Sequence, residues 1–143
     1  ESWDCSNIEF SGIGFGSADY CASTGGDMGK ASLAYGRGKI INAAALHNTL
    51  ALDGVWLDFR DPDGCREETL YVKTMGFKGR FAIHPDQIKP IHDAYRPTTE
   101  ELEWAKGVLE EAKTAGSGAF KYQGKMVDAP VLAVARLIIS RED

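Results

Sequence analysis

Two aspartates in this sequence stand where a carboxylate could do more than solvate a surface. Asp19 closes the glycine-rich run GIGFGSAD, and Asp128 immediately precedes Ala129, Pro130 and an apolar stretch. A hard divalent cation takes oxygen ligands, so the Asp19 carboxylate is a candidate metal ligand. It also reads as an ordinary loop aspartate that caps the turn after it. The glycines before it allow close backbone approach to a ligand, and the amides of Ser17 and Ala18 could donate to a substrate carboxylate. Asp128 has the pattern of a helix N-cap with proline just inside the first turn. Asp58 with Phe59, and His84 with Pro85, each follow a short strand-like run, a position that favours ligand contact; His84 reads equally as a turn-shaping histidine held by local hydrogen bonds. GIGFG is not G-x-G-x-x-G and no helix is expected to begin directly on it, so a nucleotide loop is set aside.

These residues need a scaffold. The segment 7–15 reads as a strand, near 8–14, that runs into the glycine-rich loop; 30–52 carries apolar residues at helical spacing. DGVWLDF at 53–59 reads as a second strand, near 54–58, with DPDG as its turn signal. A helix over 65–75 ends at Gly76, and RFAIHP gives a third strand near 80–84 that Pro85 stops. Alternating strands and helices with connections of this length predict an α/β fold with parallel strands. Thr98 and Glu101 form a capping box for a helix ending at Gly116, FKYQGKM at 120–126 suggests a hairpin, and a last helix follows Asp128. Three parallel strands leave two open edges, whereas a (β/α) barrel takes eight strands and about 250 residues, so an upstream portion is expected.

Composition narrows the partners. A net charge of -5 without a basic cluster gives no footprint for nucleic acid or an anionic membrane surface. The longest apolar run, VLAVA at 131–135, is far shorter than the roughly 20 residues of a membrane-spanning helix. Cys5, Cys21 and Cys65 show no CxxC spacing, so neither a zinc site nor a closed disulfide framework is suggested.

Four blocks, GFGSADYCAS, DGVWLDFRDPDG, GFKGRFAIHPDQI and GSGAFKYQGKMVDAP, together span nearly the whole chain. In order and spacing they resemble the citrate lyase β-chain and malyl-CoA lyase family. The resemblance implies the C-terminal part of a TIM barrel, about three βα units over 1–96, followed by a helical lid extension over 97–143. It implies Mg2+ held by Asp19 with an upstream glutamate, and an acid/base role for Asp128 in a neighbouring subunit. Ser17, Ala18, Asp58, Phe59, His84 and Pro85 become candidate contacts to substrate or coenzyme A. Glu1 is a weak echo of the metal glutamate, placed too near Asp19 in sequence.

The activity implied is cleavage of a 3-hydroxyacyl thioester of the malyl-CoA, citramalyl-CoA or citryl type, as a CoA or acyl-carrier thioester, into an acyl thioester and an oxo-acid. A homo-oligomer, a trimer by resemblance, is expected in the cytoplasm or mitochondrial matrix, with no nucleic acid and no membrane as partner. Thioester hydrolysis or malate-synthase-like chemistry is the alternative within enzymes, and a non-catalytic fragment or subunit the alternative outside them.

Overall fold

The computed structural model describes residues 10–116 and 118–142. Glu1, Cys5 and the first positions of the strand expected near 8–14 lie outside the described residues. The chain divides into two compact units, Glu1–Tyr95 and Arg96–Asp143.

In the first unit three short strands, β1 (Gly12–Gly14), β2 (Leu50–Asp53) and β3 (Gly79–Arg80), pair in that order and in parallel. Gly12, Ile13 and Gly14 lie opposite Leu50, Ala51 and Leu52, while Leu52 and Asp53 lie opposite Gly79 and Arg80. Parallel neighbours require crossovers. Helices α1 (Ser17–Thr24) and α2 (Lys30–Leu46) join β1 to β2, and α3 (Pro62–Met75) joins β2 to β3. A 3-10 turn, Pro85–Gln87, then leads into α4 (Ile88–Tyr95). Phe15, Leu33, Ala44, Ala51, Val72 and Phe77 form the core that the helices close over the sheet. Burying a side chain of the size of Leu33 or Phe77 contributes about 1.5–3 kcal/mol, so this cluster holds the strand ends in place.

The α/β alternation and the parallel pairing agree with the sequence, but several boundaries move. The second strand is Leu50–Asp53, not 54–58, and α2 stops at Leu46 rather than continuing to 52. Asn48 turns the chain in the left-handed region (φ 49), and Ala51 then enters the core, whereas Leu57 and Phe59 of the more β-like run are exposed. Ladder partners and burial override β-propensity here. The third strand is Gly79–Arg80 rather than 80–84; the Phe81 amide makes one more bond, to Asp53 O at 3.1 Å, before Ile83 is taken up by the Gln87 side chain. A helix does begin directly after GIGFG, at Ser17.

In the second unit α5 (Thr99–Ala115) starts with the expected capping box: Glu101 N donates to Thr98 Oγ1 at 3.1 Å, and Thr98 N donates to Glu101 Oε2 at 2.9 Å. Strands β4 (Phe120–Tyr122) and β5 (Lys125–Val127) form the hairpin, with Gln123 (φ 47) and Gly124 (φ 80) at its tip. Two consecutive positive φ values suit the right-handed twist of a two-residue hairpin. Helix α6 (Ala129–Ile139) packs with α5 around Ala105, Val108, Val127 and Ala135.

Candidate active site

A cleft of about 380 Å³ opens at the carboxyl ends of β1 and β2. Its walls are Gly14 to Asp19, Gly54, Val55 and Phe81. Two glycines shape it. A Cβ on Gly14 would stand 2.6 Å from the Phe81 ring, and one on Gly16 would stand 3.0 Å from the Asp19 carboxylate. Only bare backbone lets both side chains close in.

Asp19 lies exposed in the first turn of α1, where the unpaired amides of a helix N-terminus favour negative charge. The Ser17 amide, a candidate donor to a substrate carboxylate, donates to Phe15 O at 3.0 Å. The Ser17 hydroxyl is buried, with no hydrogen-bond partner among the described residues. The Ala18 amide is one of the first-turn donors that a helix leaves without an intrahelical acceptor.

Asp58, Phe59, His84 and Pro85, in the same unit, do not line this cleft. Asp58 borders a second cleft of about 280 Å³, with Arg37, Trp56, Leu57 and Glu68, and accepts the Arg60 amide at 3.0 Å. Phe59 stacks on His84 with ring centroids 4.6 Å apart. His84 Nδ1 accepts the Asp86 amide at 3.2 Å and Pro85 opens the 3-10 turn, so both shape the loop. Asp128 caps α6 through Oδ1, which accepts the Val131 amide at 3.3 Å.

At the cleft that Asp58 borders lies a buried charge cluster that the sequence did not disclose. Asp53, wholly buried, accepts from Arg37 Nε and Nη2 at 3.0 and 3.1 Å and from Arg80 Nη2 at 2.7 Å. Arg37 Nη2 also meets Glu68 at 2.8 Å, and Arg80 Nε donates to Gly54 O at 2.9 Å. Burial works against the Arg37 charge, but Asp53 and Glu68 more than offset it and hold its pKa above the ordinary value. Gln87 ties two loops, donating to Trp56 O at 2.6 Å and accepting from Ile83 N at 2.9 Å. One signal was available for Arg37: it lies four residues after Leu33, on the same buried stripe of α2.

Among the described residues no group of three His, Cys, Asp or Glu side chains could hold a metal ion. Among the described residues Asp19 is the one carboxylate on its cleft. A single carboxylate suits magnesium, which keeps several waters and needs only one or two protein carboxylates, better than calcium, which takes six to eight oxygen ligands.

Parallel βα units with a carboxylate at the carboxyl ends of the strands are the arrangement that α/β enzymes use for their sites. A family model described as C-C_Bond_Lyase of the TIM-Barrel fold matches residues 38–142. The mitochondrial citramalyl-CoA lyase of Rattus norvegicus is 37% identical over 131 residues, covering 88% of this chain and 39% of that protein. A citrate lyase subunit beta-like protein of Mycobacterium tuberculosis is 39% identical over 137 residues, covering 91% of this chain and 50% of its own length. The crystal structure of CitE from Mycobacterium tuberculosis in complex with magnesium, acetoacetate and coenzyme A superposes with a TM-score of 0.79 at 35% identity, over 92% of this chain and 52% of that one. The chain belongs to the TIM-barrel carbon–carbon bond lyases. It spans 39% to 50% of the length of the two relatives just named.

Proposed function

We propose that the chain carries part of the active site of a magnesium-dependent lyase that cleaves a 3-hydroxyacyl thioester, of the malyl-CoA, citramalyl-CoA or citryl type, into an acyl thioester and an oxo-acid. The observation that supports this most is the Asp19 carboxylate on a glycine-walled cleft at the ends of parallel strands. Magnesium, coenzyme A and a small oxo-acid accompany the similar CitE crystal structure.

Asp19 would hold the metal through carboxylate oxygen. When bound there, magnesium would supply Lewis-acid polarisation of the oxo-acid oxygen. The Ala18 amide would orient the substrate carboxylate. Phe81 and Phe15 would keep one side of the cleft dry, which strengthens every polar contact inside it. Asp128 would move the hydroxyl proton from a neighbouring copy in a homo-oligomer, with a trimer as the expected assembly.

The 143-residue chain by itself is expected to be inactive, because β1 and β3 are open sheet edges among the described residues. The test is product analysis on the complete protein with malyl-CoA and citramalyl-CoA in the presence of magnesium. Acyl-CoA and oxo-acid in equal amounts are expected. Free coenzyme A appearing with the hydroxy acid would replace lysis by hydrolysis.

A further inference from the structure

The face of the sheet turned away from the core ends on an accessible ring. Gly12 and Gly14 lie opposite Leu50 and Leu52, and Leu52 lies opposite Gly79, so these residues share one face, while Ile13 and Ala51 turn into the core. Side chains alternate along an extended chain. Phe81, two residues after Gly79 and still bonded through its amide to Asp53 O, continues that face. Its ring reaches from the end of β3 to β1 and lies on Gly14, where an added Cβ would stand 2.6 and 2.8 Å from two ring carbons. Phe81 is 45% exposed and lines the Asp19 cleft, whereas Phe15 on the same cleft is 5% exposed. A ligand in this cleft of about 380 Å³ meets the Phe81 ring. Among the described residues no lysine, arginine or histidine lines the cleft.

We propose that Phe81 is a specificity-determining residue, whose ring packs against one substituent of the hydroxyl-bearing carbon of the substrate and selects an alkyl group there over a charged one. The inference rests on the lyase reading. In that reading this carbon turns its oxygen to the metal at Asp19, its carboxylate to the Ala18 amide and its methylene to the thioester. One substituent is left: hydrogen in malyl-CoA, methyl in citramalyl-CoA and carboxymethyl in citryl-CoA. A methyl group gains by leaving water for the Phe81 ring and Val55, which line the same cleft. A carboxymethyl group would lose its water with no cation among the described lining residues to meet it.

The test measures kcat/KM of the complete protein for the three thioesters, in wild type, Phe81→Ala and Phe81→Leu. Wild type is expected to favour citramalyl-CoA over malyl-CoA by about tenfold, the low end for one methyl group in an apolar pocket, with citryl-CoA last. Phe81→Ala should bring the ratio of citramalyl-CoA to malyl-CoA close to one. Phe81→Leu keeps an apolar side chain over Gly14 and carries the test should Phe81→Ala fail to fold; its ratio should fall between the two. An unchanged ratio in the folded variants, or an equal loss for all three substrates, would make the ring a structural element only and overturn the proposal. So would malyl-CoA or citryl-CoA as the preferred substrate of wild type. Cleavage of none of the three would overturn the lyase reading itself, and the proposal with it.

Discussion

Gly54 packs against Ser17 so closely that a Cβ on Gly54 would overlap the Ser17 hydroxyl and stand 2.8 Å from the Ser17 Cβ. The same added atom would lie 2.9 Å from Phe15 O. Arg80 grips Gly54 from its carbonyl side. The end of β2 is thereby fixed against the start of α1, the helix that carries Asp19.

Gly54→Ala is therefore expected to cost about 1–3 kcal/mol through overpacking and to weaken magnesium binding. Gly38→Ala is the control. Gly38 lies inside α2 with nothing within 4 Å of its added Cβ, so that change should stabilise by up to about 1 kcal/mol. Thermal melts of both variants, with and without magnesium, check the pair.

Asp19→Ala should abolish magnesium binding in the complete protein while leaving stability within about 0.5 kcal/mol, since the side chain is exposed. Calorimetric titration with magnesium reads the first effect and urea unfolding the second. Undiminished magnesium binding would remove Asp19 from the site.

Asp53→Asn leaves two buried guanidinium groups short of a counter-charge, a change that costs about 3–5 kcal/mol. Thr69→Val removes the Thr69 hydroxyl, which accepts from Arg80 Nη1 at 3.3 Å and donates to Cys65 O at 2.6 Å, and should cost about 0.5–1.5 kcal/mol for each bond. The ratio of the two losses in urea unfolding tests whether charge or hydrogen bonding holds the cluster.

Asp128→Ser keeps a side-chain oxygen to cap α6 but cannot exchange a proton as a carboxylate does, whereas Asp128→Ala loses the cap as well, about 0.5–2 kcal/mol. Wild-type stability with lost turnover is expected for Asp128→Ser. Mixing Asp19→Ala with Asp128→Asn under subunit exchange should then restore activity, if Asp128 serves a neighbouring copy. No recovery despite demonstrated exchange would confine Asp128 to its own chain.

Cys65 is fully buried, and burial raises its thiol pKa, with Arg80 opposing in part. The reactive species is the thiolate, so both access and ionisation protect it. Iodoacetamide at pH 8 should leave the Cys65 peptide unmodified until the protein unfolds, as read by mass spectrometry.

The sequence by itself determined the alternation of strands and helices, because helical spacing, the Gly76 stop and the Thr98–Glu101 cap are local signals that act within a few residues. The placement of Asp19 after a glycine-rich strand end was legible for the same reason. Which residues become β2 was not: VWLDF carries the stronger β-propensity, yet Leu50–Asp53 form the strand because β1 and β3 offer them backbone partners. The Arg37–Asp53–Arg80 cluster joins residues 16 and 27 positions apart, a pairing that no local pattern encodes. Tertiary structure alone decided that Asp58 and His84 do not line the Asp19 cleft and that the Ser17 amide bonds to Phe15 O. Hydrogen-bond partners and burial are set by the packing of distant segments, and a spacing rule carries no information about either.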